Sequence, residues 1–227
     1  MKKIALVAAA VLAATTAAHA DIRITEVAPW SSGNSPVGAD WFELTNTGSS
    51  AVSLAGWKMD DDSAAFGSAA ALAGISSIGA GESVIFIEGS GAALVNLFKS
   101  TWFGSNVPAG LQVGTYSGSG VGLSASADQV NIFDASGTLQ AKVIFGASDS
   151  SSPYQTFDNA QGLNGVTISL LSATGSNGAF VAAGDAAEIG SPGRIAAAAV
   201  PEPSSYALML GGLLAVGLIA RKRSHKA

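Results

Sequence analysis

Apolar and polar positions alternate with a period of two in several short stretches of this chain. Ile22-Arg23-Ile24-Thr25-Glu26-Val27 alternates, and Trp41-Phe42-Glu43-Leu44-Thr45 is a short aromatic and β-branched run. Ala51-Val52-Ser53-Leu54 follows an Asn46-Thr47-Gly48 turn, and Gly56-Trp57-Lys58-Met59 comes next. Val84-Ile85-Phe86-Ile87 follows Gly79-Ala80-Gly81. Gln129 to Phe133 and Leu139 to Phe145 are joined through Asp134-Ala135-Ser136-Gly137, which predicts a hairpin, and Val166 to Leu170 closes the series. Short strands separated by turn residues predict an all-β domain, a sandwich or barrel. The exception is Ala92 to Phe98, where apolar residues fall at helical spacing and predict a short connecting helix.

The two ends follow a different pattern. Lys2-Lys3 precedes an apolar run from Ile4 to Ala14, and small residues lead to Ala18-His19-Ala20. A positive start, a short apolar core and an A-x-A site predict a secretory signal peptide over residues 1–20, cut after Ala20. The run is too short for a membrane anchor. At the other end, an uncharged apolar stretch over residues 204–220 is followed by Arg221-Lys222-Arg223. A helix of that length spans about 25 Å, slightly less than a bilayer core. The basic cluster in residues 221–227 stays cytoplasmic, so the helix stops transfer and residues 21–200 lie outside the cytoplasm.

Val200-Pro201-Glu202-Pro203, the helix with Gly211-Gly212, and the terminal Arg221-Lys222-Arg223 occur in that order. Together they resemble the PEP-CTERM sorting signal of Gram-negative bacteria. The resemblance implies recognition and cutting by an exosortase after export by the Sec machinery. The protein would be held transiently at the inner membrane, then reach the cell surface or be secreted, in the setting of exopolysaccharide and biofilm. The alternative is a plain C-terminal anchor that is never cut.

Composition narrows the chemistry. Of 227 residues, 48% are hydrophobic and only 12% charged, with 28 glycines. Residues 21–195, the expected folded body, carry five basic and fifteen acidic residues, a net charge of −10. Such a surface repels a phosphate backbone, which argues against a nucleic-acid partner. Cysteine is absent, and His19 and His225 both fall in segments that processing removes. The body therefore has neither thiol nor imidazole. That excludes Ser-His-Asp and Cys-His catalysis, and zinc, haem or iron–sulfur sites that depend on those ligands. Stability must come from packing rather than disulfides. No residue is nominated as catalytic.

Within the body, Ile24-Thr25-Glu26-Val27, then Trp41-Phe42-Glu43-Leu44-Thr45-Asn46, then Val52-Ser53-Leu54-Ala55-Gly56-Trp57 succeed one another. A strand near Val84, a hairpin over 128–145 and Ser191-Pro192-Gly193 follow. This order resembles the lamin tail domain, an immunoglobulin-like β-sandwich. The resemblance implies a binding or structural module over 21–195, followed by a linker over 196–203 that carries the Pro-Glu-Pro motif. Extended loops around 60–81, 101–128 and 146–165 depart from the pattern and leave the ligand open.

Asp60-Asp61-Asp62 is the best candidate chemistry, with Asp40, Glu26 and Glu43 as neighbours to consider. Adjacent carboxylates repel, and Ca²⁺ would relieve that. The competing reading is a solvated turn with Asx hydrogen bonds. For Glu26 and Glu43, the alternative is capping of backbone amides near the sheet end. Trp41 and Trp57 read as core residues, the alternative being a stacking platform for sugar rings with one of them exposed, whereas Trp30 and Trp102 read as exposed loop residues. Exopolysaccharide or surface proteins are the expected partners. The second function class is a secreted carboxylate-dependent hydrolase such as a glycosidase.

Overall fold

A computed structural model describes residues 21–29, 36–148 and 152–195. The signal-peptide site at Ala18 and Ala20, Trp30, the Val200 to Pro203 motif, the stretch over 204–220 and Arg221, Lys222 and Arg223 lie outside the described residues. Among those described, no helix is long and apolar enough to cross a membrane.

Nine strands form one curled sheet. Its order is β1 (Ile22–Ala28), β2 (Trp41–Asn46), β7 (Ser83–Glu88), β8 (Gln112–Tyr116), β5 (Ala70–Ala73), β4 (Lys58–Asp60), β9 (Asp128–Phe133), β10 (Leu139–Phe145) and β12 (Thr167–Ile168). β5 makes the corner: Leu72 and Ala73 pair with β8, whereas Ala70 and Ala71 pair with β4. Two walls result, β1-β2-β7-β8 and β4-β9-β10, as the sandwich pattern predicts. Their inward positions share one core of Ile22, Ile24, Val27, Phe42, Leu44, Phe86, Met59, Val130, Ile132, Val143 and Phe145. Trp57 joins this core at 7% exposure. Short strands β3 (Val52–Ser53) and β6 (Ser77–Ile78) pair beside it.

The first wall is buried on both faces. β7 accordingly reads as an unbroken apolar run: Val84 and Phe86 enter the shared core, and Ile85 and Ile87 enter a second cluster on the outer face. Helix α1 (Ala92–Phe103) belongs to that second cluster with Phe98, Trp102 and Phe103. It links β7 to β8, which run parallel and therefore need a crossover. Trp41 from β2 meets Phe98 at 5.4 Å and Trp102 at 5.6 Å, both edge-on.

Several sequence expectations are corrected here. The helix runs past Phe98 to Phe103, because Thr101, Trp102 and Phe103 continue its buried face. Trp102 is therefore 1% exposed rather than an exposed loop residue. The expected loop over 101–128 contains β8, and the loop over 60–81 contains β5 and β6. The region 146–165 holds β11 (Tyr154–Gln155) and a short helix, α2 (Asn159–Asn164). A small sheet of β11, β14 (Glu188–Gly190) and β13 (Phe180–Val181) completes the described chain.

Trp102→Ala should remove the aromatic joint between α1 and the first wall. Denaturant unfolding is expected to show a loss of about 3–5 kcal/mol. A loss near zero would mean that α1 is not part of the cooperative unit.

Candidate functional site: a buried carboxylate clamp and a cationic cleft

Glu26 and Glu43 are register partners on β1 and β2, and both are 0% exposed. A register shift between Ile24 and Glu26 makes this placement. The extra residue turns two consecutive polar side chains, Thr25 and Glu26, off the core face that Ile24 and Val27 occupy. Each carboxylate then ends a chain of hydroxyls. Ser83 and Thr45 share a 2.6 Å hydrogen bond, Thr45 and Thr25 one of 2.9 Å, and Thr25 donates to Glu43 Oε1 at 2.7 Å. On the other branch Ser172 and Thr156 are 2.7 Å apart, and Thr156 donates to Glu26 Oε1.

The same two carboxylates hold the backbone of the closing turn. Ser191 N–H donates to Glu26 Oε1 at 2.7 Å, and Gly193 N–H donates to Glu43 Oε2 at 2.6 Å. The sequence reading of these glutamates as amide caps matches this geometry, and Ser191-Pro192-Gly193 supplies the amides. Gly193 has φ 71, a backbone that disfavours a side chain. At Gly190 a Cβ would stand 2.8 Å from Glu26 Oε1 and 2.8 Å from Trp102, so only glycine lets the chain come this close. Glu26 Oε2 has no hydrogen-bond partner among the described residues. Burial raises the Glu26 carboxyl to about 8, with the Glu43 charge adding to it. Burial raises Glu43 to about 7, against the lowering effect of its Thr25 and Gly193 bonds.

The aspartate run does something else. Asp60 is 0% exposed and points into its own loop. Its Oδ2 accepts from Ser63 Oγ at 2.5 Å and Ala65 N–H at 2.7 Å, and its Oδ1 from Ser68 Oγ at 3.3 Å. Asp61 Oδ1 accepts from Ser63 N–H at 3.3 Å, an Asx turn, and Asp62 is exposed. Among the described residues no group of three acidic side chains is placed to hold a metal ion. Asp61 makes the Asx bond of the turn reading and Asp62 is exposed, whereas Asp60 is buried within the loop rather than solvated. Asp40 is also occupied, its Oδ2 accepting from Leu123 N–H at 2.8 Å.

A cleft of about 170 Å³ lies where the curled sheet nearly meets itself, between β1 and β10. Arg23, Gln140 and Lys142 line it together with Asp21 and Val166. Composition and spacing give no sign of this site, because Arg23 and Lys142 are far apart in the chain and neither belongs to a motif.

The family model for the Lamin Tail Domain matches residues 15–147, and that for the PEP-CTERM protein-sorting motif matches residues 199–224. The first covers more than half of the chain, and the chain belongs to the lamin tail domain family. No curated protein matches it. Both are non-catalytic domain types, and the second marks the protein as an exported, exosortase-targeted one. The first match stops at 147, so the segment that completes the clamp lies beyond it.

The clamp makes stability depend on pH. Both carboxyls have folded pKa values above the ordinary glutamate value of 4.5, so the folded protein binds protons that the unfolded chain has released. The contribution is complete below about 4.5 and is lost as pH rises toward 7 and 8. The unfolding free energy, measured by denaturant titration, should therefore fall across that window. Glu26→Gln keeps the shape without a proton to lose and should flatten the fall; an unchanged slope would remove Glu26 from the explanation. Glu26→Ala strands the Ser191 amide and Thr156 hydroxyl and should cost about 1–3 kcal/mol.

Proposed function

We propose that this is an exosortase-processed surface or extracellular-matrix protein whose β-sandwich binds or builds rather than catalyses. The observation that carries this reading is the order of parts: a lamin tail domain followed by a PEP-CTERM motif. The signal peptide over 1–20 opens the route through Sec. The stretch over 204–220 then halts translocation, with Arg221, Lys222 and Arg223 retained on the cytoplasmic side. Exosortase acts at Val200 to Pro203 and frees residues 21–195 for the cell surface or the medium, where exopolysaccharide and surface proteins are the available partners.

The state of the acids supports a binding module. The carboxylates paired across β1 and β2, Glu26 and Glu43, are buried and spent on backbone amides. A glycosidase needs its pair open to sugar and water. The cleft is lined by a single carboxylate, Asp21.

Mass spectrometry of protein recovered from the cell surface or medium should find a C-terminus near Pro201-Glu202-Pro203. Replacing these three residues with alanine should leave the apolar stretch attached and the protein in the membrane fraction. Recovery of released protein with residues 204–220 intact would overturn the reading.

A further inference from the structure

The clamp holds more acid than its surroundings can neutralise. Glu26 and Glu43 are register partners on β1 and β2, and both are fully buried. Like charges opposite one another on a sheet repel, and burial without a cation adds to the cost. Among the described residues no basic side chain pairs with either. Their donors are the Thr25 and Thr156 hydroxyls and the Ser191 and Gly193 amides. On the same strands Arg23, the register partner of Thr45, keeps to Asp21 at 2.9 Å. The elements packed against the pair carry Glu88 at the end of β7, Lys99 on α1, Tyr154 on β11, Asp158 ahead of α2, Glu188 on β14 and Arg194 in the closing turn. Asp158 accepts from the Ala160 amide and from Asn177, and Arg194 lies over the Phe180 ring. The charge that acts on Glu26 is that of Glu43.

The turn that covers the pair is held by polar contacts. Residues 191–195 add no side chain to either apolar cluster, whereas Phe157, Ile168, Phe180 and Ala182 anchor the segment ahead of them. Besides the two amides seated on the carboxylates, the turn is held by Asn159 Nδ2, which donates to Ser191 Oγ at 2.8 Å and to Arg194 O at 2.6 Å. Arg194 adds its contact with Phe180 at 4.3 Å. A unit with few apolar contacts opens at a lower free energy than the core. Opening this one brings water to both carboxyls, which then ionise as they do in an unfolded chain. Closed, Glu43 keeps its proton to about 7 and Glu26 to about 8, against an ordinary 4.5. Each carboxyl therefore releases a proton on opening between pH 4.5 and those values, and opening becomes easier as pH rises through that range.

We propose that the closing turn, Ser191 to Ile195, is a pH-operated latch: it is closed over Glu26 and Glu43 in acid and is increasingly released from them, with the rest of the sandwich intact, as pH rises to neutral and above. Release adds five residues, roughly 17 Å of extended chain, to the stretch that leads to Val200-Pro201-Glu202-Pro203. The latch itself stands on the fold alone. Its consequence, how far from the sandwich the motif can be presented, rests on the reading of that motif as a sorting signal.

Hydrogen exchange of the full-length chain in detergent, read by mass spectrometry and corrected for the intrinsic pH dependence of exchange, tests this. Between pH 5.5 and 6.5 the opening constant of the peptide spanning 188–195 should grow roughly a hundredfold, because two protons are released together. The growth should level off above about 8. At every pH this peptide should exchange faster than those from β7 and β9. Glu26→Gln and Glu43→Gln each leave one proton to lose and should cut the growth to about tenfold, and the double variant should abolish it. Equal exchange of the turn, β7 and β9 would mean that the turn opens only when the sandwich unfolds, and would overturn the proposal. So would a turn whose opening ignores pH, or growth that neither variant changes. If one variant fails to fold, seen as lost protection of β7 and β9 at pH 5.5, the wild-type profile and the other variant still decide. A pH-dependent latch on a chain that is never cut near Pro201 would leave the latch standing and remove the sorting reading. A cut chain whose turn ignores pH would do the reverse.

Discussion

Two carboxylates placed out of reach of water hold the end of the domain against its beginning. Glu26 and Glu43 cost free energy to bury, and that cost is offset only because each finds backbone amides and hydroxyls to accept from. Their partners lie 165 and 150 residues along the chain. The segment from 152 to 195 thus adds directional bonds on the outer face of the first wall to its apolar docking, in which Phe157 and Ile168 enter the shared core and Phe180 and Ala182 join the cluster that α1 and Trp102 form. Much else follows from this arrangement. Gly190 and Gly193 are required because the backbone must come within contact distance of the acids and of Trp102. The β1 irregularity is required because a regular strand would send either Thr25 or Glu26 into the core.

The clamp also explains why the chain tolerates a first wall buried on both sides. A sheet with one face on the core normally leaves the other to solvent. Here the outer face is apolar near Trp41, Ile85 and Ile87, where α1 covers it, and polar around Thr25, Glu43 and Thr45, where the closing segment meets the hydroxyl chain. Apolar contact supplies most of the free energy, and the buried polar bonds fix where the segment sits.

How much of this could be read from the sequence varied with the kind of signal. β1, β2, β9 and β10 were visible because alternation and β-branched or aromatic residues coincide there. The Asp134 to Gly137 hairpin was visible from its turn residues. Trp41 and Trp57 were legible as core. β5, written Ala-Ala-Leu-Ala, and β8, written Gln-Val-Gly-Thr-Tyr, carry almost no strand pattern, and their pairing is set by distant neighbours. The end of α1 was hidden by Lys99, Ser100 and Thr101, which interrupt the apolar spacing without ending the helix. Glu26 and Glu43 were legible as candidates for amide capping, but not which amides they cap. The cleft is a product of sheet closure alone, and nothing in the spacing of Arg23 and Lys142 announces it.

The last described residues have a mechanical meaning. Asn159 Nδ2 donates to Arg194 O at 2.6 Å and to Ser191 Oγ at 2.8 Å, immediately ahead of the region that carries the sorting motif. A pull applied beyond Ile195 is therefore taken up first by Asn159, and then by the Ser191 and Gly193 amides in their buried seats. Load entering there meets these polar bonds in turn and passes through Glu26 and Glu43 into β1 and β2. The described domain is reinforced at the end that leads into the sorting motif.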